Sequence, residues 1–347
     1  METSLRRLMS CVSNSSAKSA AQAGHAGNAR VTVLGLGTIG HSVAQVFAQA
    51  GCEVRCFSPR ASTRSSLHTR VRSNLRQLSA ADLVPSTETY ADSVLQRLSV
   101  FSTEEEALAG ADFVWEAAPE VLSTKQELLR RVESSVSKDA IIVSTTSSFP
   151  MTLMASDMEF PGRAIVGHPF NPPHLIPIVE VVPGVMTTRD TTAALTDLLR
   201  SAGKQPIFIE KEVPGFVVNR IQLAMLREAW AILDSGIASA EDIDAAVKGT
   251  LGLRMASMGP LRIADFAGLD TWERIFHSLA NDLDNTVSST PAALKRLISK
   301  GCLGAKTGQG FYSYEHGELE TQLQARDRGF AETVKSFHTA SRSTPAH

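Results

Sequence analysis

The pattern of apolar and polar positions changes character once along the chain. From Arg30 to about Val213, short β-branched apolar runs are separated by stretches whose apolar residues recur at helical spacing. Val31–Leu34, Glu53–Ser58, Asp112–Glu116, Ile141–Thr145, Ile165–His168 and Ile178–Val182 read as buried strands. His41–Ala50, Ser62–Leu78, Tyr90–Leu98, Ser123–Val136 and Thr188–Ser201 read as helices. Past Val213-Pro214-Gly215 the pattern is helical throughout. Phe216–Ser235 carries apolar residues on one face, with Gly236 as a stop. Ser239-Ala240-Glu241-Asp242 opens a second helix in capping-box order, with aspartate in place of glutamate. Leu261–Phe266, Thr271–Leu283 and Pro291–Lys300 follow, and only Gly310–Tyr314 reads as a strand. This order predicts an α/β protein: a Rossmann-type, doubly wound, mostly parallel sheet followed by a smaller all-α domain. The expected division is 30–213 for the sheet domain and 214–316 for the helical one, with a disordered or targeting segment at 1–29 and a frayed polar tail at 317–347.

Composition narrows the class. A net charge of −2 over 347 residues, with no sustained basic block, excludes a nucleic-acid surface. No apolar run approaches the ~18 to 20 residues of a membrane span. Cys11, Cys52, Cys56 and Cys302 are too few and scattered for a disulfide framework, and no histidine pair accompanies them as a metal set. Residues 1–29 are rich in Ser and Ala, with Arg6, Arg7 and Lys18 against Glu2. That composition suits a disordered tail or a mitochondrial presequence. The expected location is cytoplasmic, with mitochondrial as the alternative.

Candidate chemistry begins at Gly35-Leu36-Gly37-Thr38-Ile39-Gly40, directly after a strand and before a helix. Gly35 permits a sharp turn and Gly37 lets the backbone approach a pyrophosphate. Gly40 lets the helix pack on the strand, and the helix N-terminus offers free N–H groups to the phosphates. About 20 residues on, an NAD site normally presents an acid to the adenosine ribose. Here Ser58 holds that position, with Arg60 and Arg64 nearby. A hydroxyl and guanidinium groups suit a 2′-phosphate, so NADP is expected over NAD.

Four segments carry the candidate reaction chemistry: Ser144–Ser148, Gly167–Pro173, Pro177–Val182 and Pro214–Arg220. His168 suits a general base for an alcohol proton. Glu180, inside an apolar strand, needs a partner and can orient that imidazole. Ser147 can hold a substrate oxygen, and Asn219 can polarise a neighbouring carbonyl. Each has an ordinary structural reading as well: a turn histidine, a helix-capping asparagine.

Taken in order, these motifs resemble the L-3-hydroxyacyl-CoA dehydrogenase superfamily across residues 30 to 315. The resemblance rests on the glycine turn, Glu116-Ala117-Ala118-Pro119-Glu120 with Lys125, Ser144–Ser148, His168-Pro169-Phe170-Asn171-Pro172, Glu180 and Pro214–Arg220. Met258-Gly259-Pro260, Gly268-Leu269-Asp270 and Lys306–Tyr312 extend it. It implies a His168–Glu180 dyad, with Ser147 and Asn219 near the reacting carbon and Asn171 near the nicotinamide. It also implies Glu120 and Lys125 along the cofactor ribose, and a helical domain that closes the cleft and forms a homodimer. The implied reaction interconverts an L-3-hydroxy acid or 3-hydroxyacyl-CoA and its 3-oxo form. The His168–Glu180 segment is similar to the lambda-crystallin and L-gulonate 3-dehydrogenase branch and to carnitine dehydrogenases, which act on small free 3-hydroxy compounds. Arg64, Arg70, Arg72 and Arg76 could serve phosphates of CoA or NADP, or neither. Two departures stand out: Ser58 in place of the ribose acid, and Trp115 before Glu116. The alternative is a non-catalytic, nucleotide-binding or crystallin-like protein on the same fold.

Overall fold

The computed structural model describes residues 29–279, 282–283, 292–304, 307–314, 319–321, 323–324 and 327–333. Cys11, Lys306 and nearly all of the segment 1–29 lie outside them. The chain divides into two compact units, the first ending at Phe216 and the second beginning at Val217.

The first unit holds one eight-stranded sheet in the order β3-β2-β1-β4-β5-β6-β7-β8. Its strands are β1 (Arg30–Leu34), β2 (Glu53–Phe57), β3 (Leu98–Val100), β4 (Phe113–Glu116), β5 (Ile141–Ser144), β6 (Ala164–Pro169), β7 (Ile178–Pro183) and β8 (Gln205–Phe208). Neighbouring strands run parallel except at β6 and β7, which pair antiparallel. The helices are α1 (Gly40–Gln49), α2 (Ala61–Ser65), α3 (Leu67–Ala80), α4 (Glu88–Leu95), α5 (Glu104–Leu108), α6 (Leu122–Ser135), α7 (Met151–Met154) and α8 (Arg189–Ser201).

Alternation along the strands splits the core between the two faces of the sheet. Val31, Val33, Trp115, Val143 and Ile165 belong to one cluster, with α1, α3 and α8 supplying Phe47, Val71 and Leu195. Leu34, Val114, Ile142 and Val166 belong to the other, with Leu129 of α6 and Met154 of α7. β1 is covered on both sides, which explains its near-continuous apolar run. Its one buried polar residue, Thr32, is satisfied by donating to the carbonyl of Ala107 at 2.7 Å.

Several elements differ from the sequence expectation. The helix expected over Tyr90–Leu98 ends at Leu95, and Leu98 begins the short edge strand β3. β8 was not expected; it is a half-exposed edge strand of four residues, too short to show a period. The helix expected over Ser62–Leu78 breaks at Ser66 into α2 and α3. Thr103 and Glu106 form a full capping box that starts α5, another element absent from the expectation.

The second unit is helical: α9 (Val218–Asp234), α10 (Ala240–Val247), a π-helical turn at Lys248–Gly252, α11 (Leu253–Ser257), α12 (Pro260–Ala267), α13 (Leu269–Leu279) and α14 (Ala292–Ser299). The Ser239 hydroxyl caps α10 by accepting from the Asp242 amide at 3.1 Å. The strand expected at Gly310–Tyr314 is absent; isolated bridges join Gln309 to Gly304 and Ser313. Glycines and a single apolar pair there leave nothing to hold a regular ladder. Within the expected frayed tail, residues 327–333 are helical and Ala331 is buried. Among the described residues no helix is long and apolar enough to cross a membrane.

Candidate active site

Parallel pairing puts the carboxyl ends of β1, β2, β4, β5 and β6 on one edge of the sheet. Strand order departs in two directions from β1, to β2 on one side and β4 on the other. Ligands of such sheets bind at that edge, and the candidate residues of the first unit stand at the ends of its strands.

The three glycines after β1 meet three different constraints. Gly35 adopts φ +98°, and a Cβ there would lie 2.4 Å from the Ala117 carbonyl oxygen. A Cβ on Gly40 would lie 1.7 Å from the Gly35 carbonyl oxygen. At Gly37 a Cβ would meet nothing within 4 Å. Gly35 and Gly40 are required by the fold; Gly37 leaves a gap that no described residue fills. Ile39, the residue before α1, supplies no side-chain cap, whereas the amides of His41 and Ser42 donate to the carbonyls of Gly37 at 3.4 Å and Ile39 at 3.0 Å. A dinucleotide pyrophosphate fits both features. Leu36 is buried below the turn, whereas Thr38 is exposed on it.

At the end of β2 the Ser58 hydroxyl accepts a hydrogen bond from Thr63 at 2.8 Å. Arg64 donates to the carbonyls of Ser58 at 2.5 Å and Pro59 at 3.2 Å. Its guanidinium is therefore occupied by backbone, and the exposed Arg60 stands just ahead of α2.

At the ends of β4 and β5 lies a network the sequence reading did not assign. Glu116 and Lys125 are each 1% exposed, and the ammonium contacts both carboxylate oxygens at 2.8 and 3.0 Å. Glu116 also accepts from the Ser144 hydroxyl at 2.5 Å and the Ala118 amide at 2.6 Å. Lys125 reaches Glu120 at 3.2 Å. Glu120 in turn accepts from the Thr146 hydroxyl at 2.6 Å and the amides of Ser147 and Ser148 at 3.0 and 3.1 Å. Burial pushes the Glu120 carboxyl up; the Thr146 bond, the Lys125 charge and bond, and the Ser147 amide outweigh it, so the net shift is downward. The effect is a rigid turn at 146–148 that carries the Ser147 hydroxyl.

β6 and β7 bring the histidine and the second carboxylate together. Their antiparallel register sets His168 directly opposite Glu180. His168 Nδ1 donates to Glu180 Oε2 at 2.7 Å, with Glu180 fully buried and His168 5% exposed. That bond leaves Nε2 as the basic nitrogen. The rings of Phe170 and Phe216 flank the imidazole at centroid distances of 4.6 and 5.7 Å. Phe216 holds a positive φ of 49°, uncommon for a bulky residue. Gly167 is needed beside His168, because a Cβ there would lie 2.8 Å from the Trp115 ring and from Val143. Trp115 thus forms the floor beneath this strand.

Asn171 is exposed in the loop that follows β6. Lys204 holds that loop by donating to the carbonyls of Pro173 at 2.5 Å and Ile176 at 3.1 Å. Burial pushes its pKa down to about 8. Nothing in the local sequence marks Lys204, since its partners lie some thirty positions earlier. Asn219 stands in the first turn of α9, in the second unit.

Comparison with known proteins identifies the family. Residues 30–213 match the family model described as 3-hydroxyacyl-CoA dehydrogenase, NAD binding domain, and residues 215–314 match its C-terminal domain. An L-carnitine dehydrogenase from Streptomyces coelicolor is 39% identical over 319 residues, covering 88% of this chain and 94% of the relative. The human mitochondrial hydroxyacyl-coenzyme A dehydrogenase is 33% identical over 316 residues, covering 89% and 98%. The crystal structure of an NAD+-dependent dismutase, 5-formyl-3-hydroxy-2-methylpyridine 4-carboxylic acid 5-dehydrogenase, superposes with a TM-score of 0.82 at 30% identity, covering 89% of this chain and 98% of the other. These matches give NAD as the cofactor. The expected preference for NADP finds no support.

Two outcomes follow from the sterics and charges. Gly37→Ala should leave thermal unfolding unchanged while weakening NAD binding in a calorimetric titration. Gly40→Ala, whose Cβ meets backbone, should destabilise the first unit by about 3 kcal/mol or more. Lys125→Met should cost about 3–5 kcal/mol in urea unfolding, because it strands Glu116 in the core. Adding Glu116→Gln should recover part of that loss.

A third concerns acid. His41, beside Gly37 in the turn, has its pKa pushed from 6.5 to about 4 by burial and then by the Arg70 charge. Between those values the unfolded chain binds a proton that the folded chain refuses, so stability is lost as pH falls through this window. Urea midpoints at pH 7 and 5 should show His41→Asn losing about 1–2 kcal/mol less than the native chain.

Proposed function

The chain belongs to the 3-hydroxyacyl-CoA dehydrogenase family, and from that premise we propose that it oxidises the C3 alcohol of a small free L-3-hydroxy carboxylate. The observation that carries the reading is the buried His168–Glu180 pair at 2.7 Å. Bound NAD supplies the hydride acceptor. His168 Nε2 takes the hydroxyl proton, and Glu180 stabilises the imidazolium that forms. Without the carboxylate the ring would lose both its tautomer and its orientation. Ser147, fixed by Glu120, holds the substrate oxygen, and Asn219 polarises the neighbouring carbonyl. Asn171 borders the nicotinamide. Lys125 acts on the ribose side through Glu120, since its own ammonium is sealed between two carboxylates. In the reverse direction His168 returns the proton to the 3-oxo oxygen.

Two observations support a free acid over a CoA thioester. The L-carnitine dehydrogenase shares more identity with this chain than the human hydroxyacyl-coenzyme A dehydrogenase does over similar coverage. The loop between His168 and Glu180 is also stiffened by Pro169, Pro172, Pro173 and Pro177, the feature it shares with the small-substrate branches. NAD is expected to exceed NADP, because Arg64 is spent on the carbonyls of Ser58 and Pro59.

We further propose a homodimer formed through the helical unit. No described residue of α9, α10, α12 or α13 is buried, and Leu261, Phe266, Leu269 and Phe276 stand open. Apolar surface on that scale marks an interaction face. Light scattering on eluted protein should give twice the chain mass; a monomer at micromolar concentration would remove the dimer.

Turnover should be tested with a panel of free 3-hydroxy acids and 3-hydroxyacyl-CoA thioesters, each with NAD and NADP. Free acids with NAD should give the highest kcat/KM. His168→Gln and Glu180→Gln should each lower kcat by about 10²–10⁴-fold with NAD affinity retained. Activity unchanged in His168→Gln would eliminate the base assignment. Absence of turnover on every substrate, with NAD still bound, would leave the non-catalytic alternative.

A further inference from the structure

Arg70 lies on α3, far from the glycine turn in sequence, yet it is bonded to that turn twice. Its Nη1 donates to the Leu36 carbonyl at 2.7 Å and its Nη2 to the Gly37 carbonyl at 2.9 Å. These are the carbonyls of two successive peptide groups. A trans peptide is planar and sets its C=O and N–H on opposite sides. Fixing the Leu36 and Gly37 carbonyl oxygens therefore fixes the directions of the Gly37 and Thr38 amides, which point away from Arg70. Those two amides are the ones beside the open flank of Gly37, where, its chain neighbours aside, no atom of the described residues stands within 4 Å of a Cβ position.

The neighbours of Arg70 make the clamp rigid. His41 Nδ1 lies 2.8 Å from the Gly37 carbonyl oxygen and 2.6 Å from Arg70 Nη2. Asn74, one helical turn beyond Arg70, bonds Gln45 of α1 at 2.8 Å and reaches His41 Nε2 at 3.4 Å. The guanidinium is half-buried, so it is not a mobile surface charge. A planar fork suits two adjacent acceptors better than a single ammonium does.

We infer that Arg70 is a positioning residue for the cofactor: it holds the glycine turn in the form that presents the Gly37 and Thr38 amides to the dinucleotide pyrophosphate. The inference rests on the dinucleotide-binding reading of this turn and adds a residue to it. Arg70 acts through the backbone, so it governs cofactor affinity and not the proton transfer at His168. It also separates Arg70 from Arg72, two positions along the same helix, which pairs with Glu88 and Asp92 on the surface.

The test uses the whole chain and ADP-ribose, which carries the pyrophosphate without the nicotinamide. Arg70→Met should weaken ADP-ribose binding by calorimetry about 10- to 100-fold, the loss of two charge-assisted hydrogen bonds. KM for NAD should rise in parallel while kcat at saturating NAD stays within about twofold, a split that general destabilisation does not produce. Arg70→Lys should recover part of the affinity, and Arg72→Met should match the native chain. ADP-ribose affinity within twofold of native in Arg70→Met, or an equal loss in Arg72→Met, would overturn the inference. If Arg70→Met does not fold, Arg70→Lys decides: weakened binding with native melting supports the role, and unchanged binding refutes it. Native protein that fails to bind ADP-ribose would instead refute the nucleotide reading, and the role of Arg70 with it.

Discussion

A carboxylate removed from water must find compensating charge or donors, and two of them organise this molecule. Glu116 and Glu180 are both buried near the carboxyl edge of the sheet, where desolvation of a bare carboxylate is prohibitive. Glu116 is met by an ammonium, a hydroxyl and an amide. Glu180 is met by His168. The first arrangement is saturated and immobile, and it serves as an anchor for the 146–148 turn. The second holds a group that can change charge during a reaction. The same physical demand thus yields a structural support in one case and, in the proposed reaction, a pair able to accept a proton in the other. What separates them is whether the partner is a permanent cation or an imidazole.

Sterics impose the second constraint. Gly35 and Gly40 are forced by backbone contacts within the turn and with β4, so they belong to the fold. Among the described residues nothing stands within 4 Å of a Cβ at Gly37. Close approach of a phosphate to the backbone is the use such a glycine has in a dinucleotide-binding turn. The turn is further held from behind by Arg70 and His41, which draw its carbonyls towards α3 and α1. Preorganised amides cost less to bring to a ligand than amides that must be reoriented.

Much of this was legible in residues read one after another. The glycine turn follows directly from local spacing, since Gly35 and Gly40 answer constraints within the turn or from the residue that follows β4. β1, β4, β5 and β6 announced themselves as apolar runs because they are covered on both faces. β3 and β8 did not, being short strands at the two edges of the sheet. Ser58 was read as a welcome for a 2′-phosphate on its composition alone. The comparisons support NAD instead, and in the structure the Ser58 hydroxyl accepts from Thr63 while Arg64 bonds the carbonyls of Ser58 and Pro59. Lys204 escaped notice, and Glu116 and Arg70 were named without their partners, for the opposite reason. Each is an ordinary polar residue in sequence, and its significance appears only in what it touches.

The sequence by itself determined the strand–turn–helix unit, the alternation that makes a doubly wound sheet, and the identities of the histidine and carboxylate. These depend on periodicity and backbone sterics, which act over a few residues. Tertiary structure alone decided that β7 reverses against β6, so that residues twelve positions apart face each other. It also decided that Lys125 turns inward and that Arg70 reaches back to the turn. Register between strands and the destination of a long charged side chain are set by packing and desolvation across the whole unit, and no local pattern encodes them.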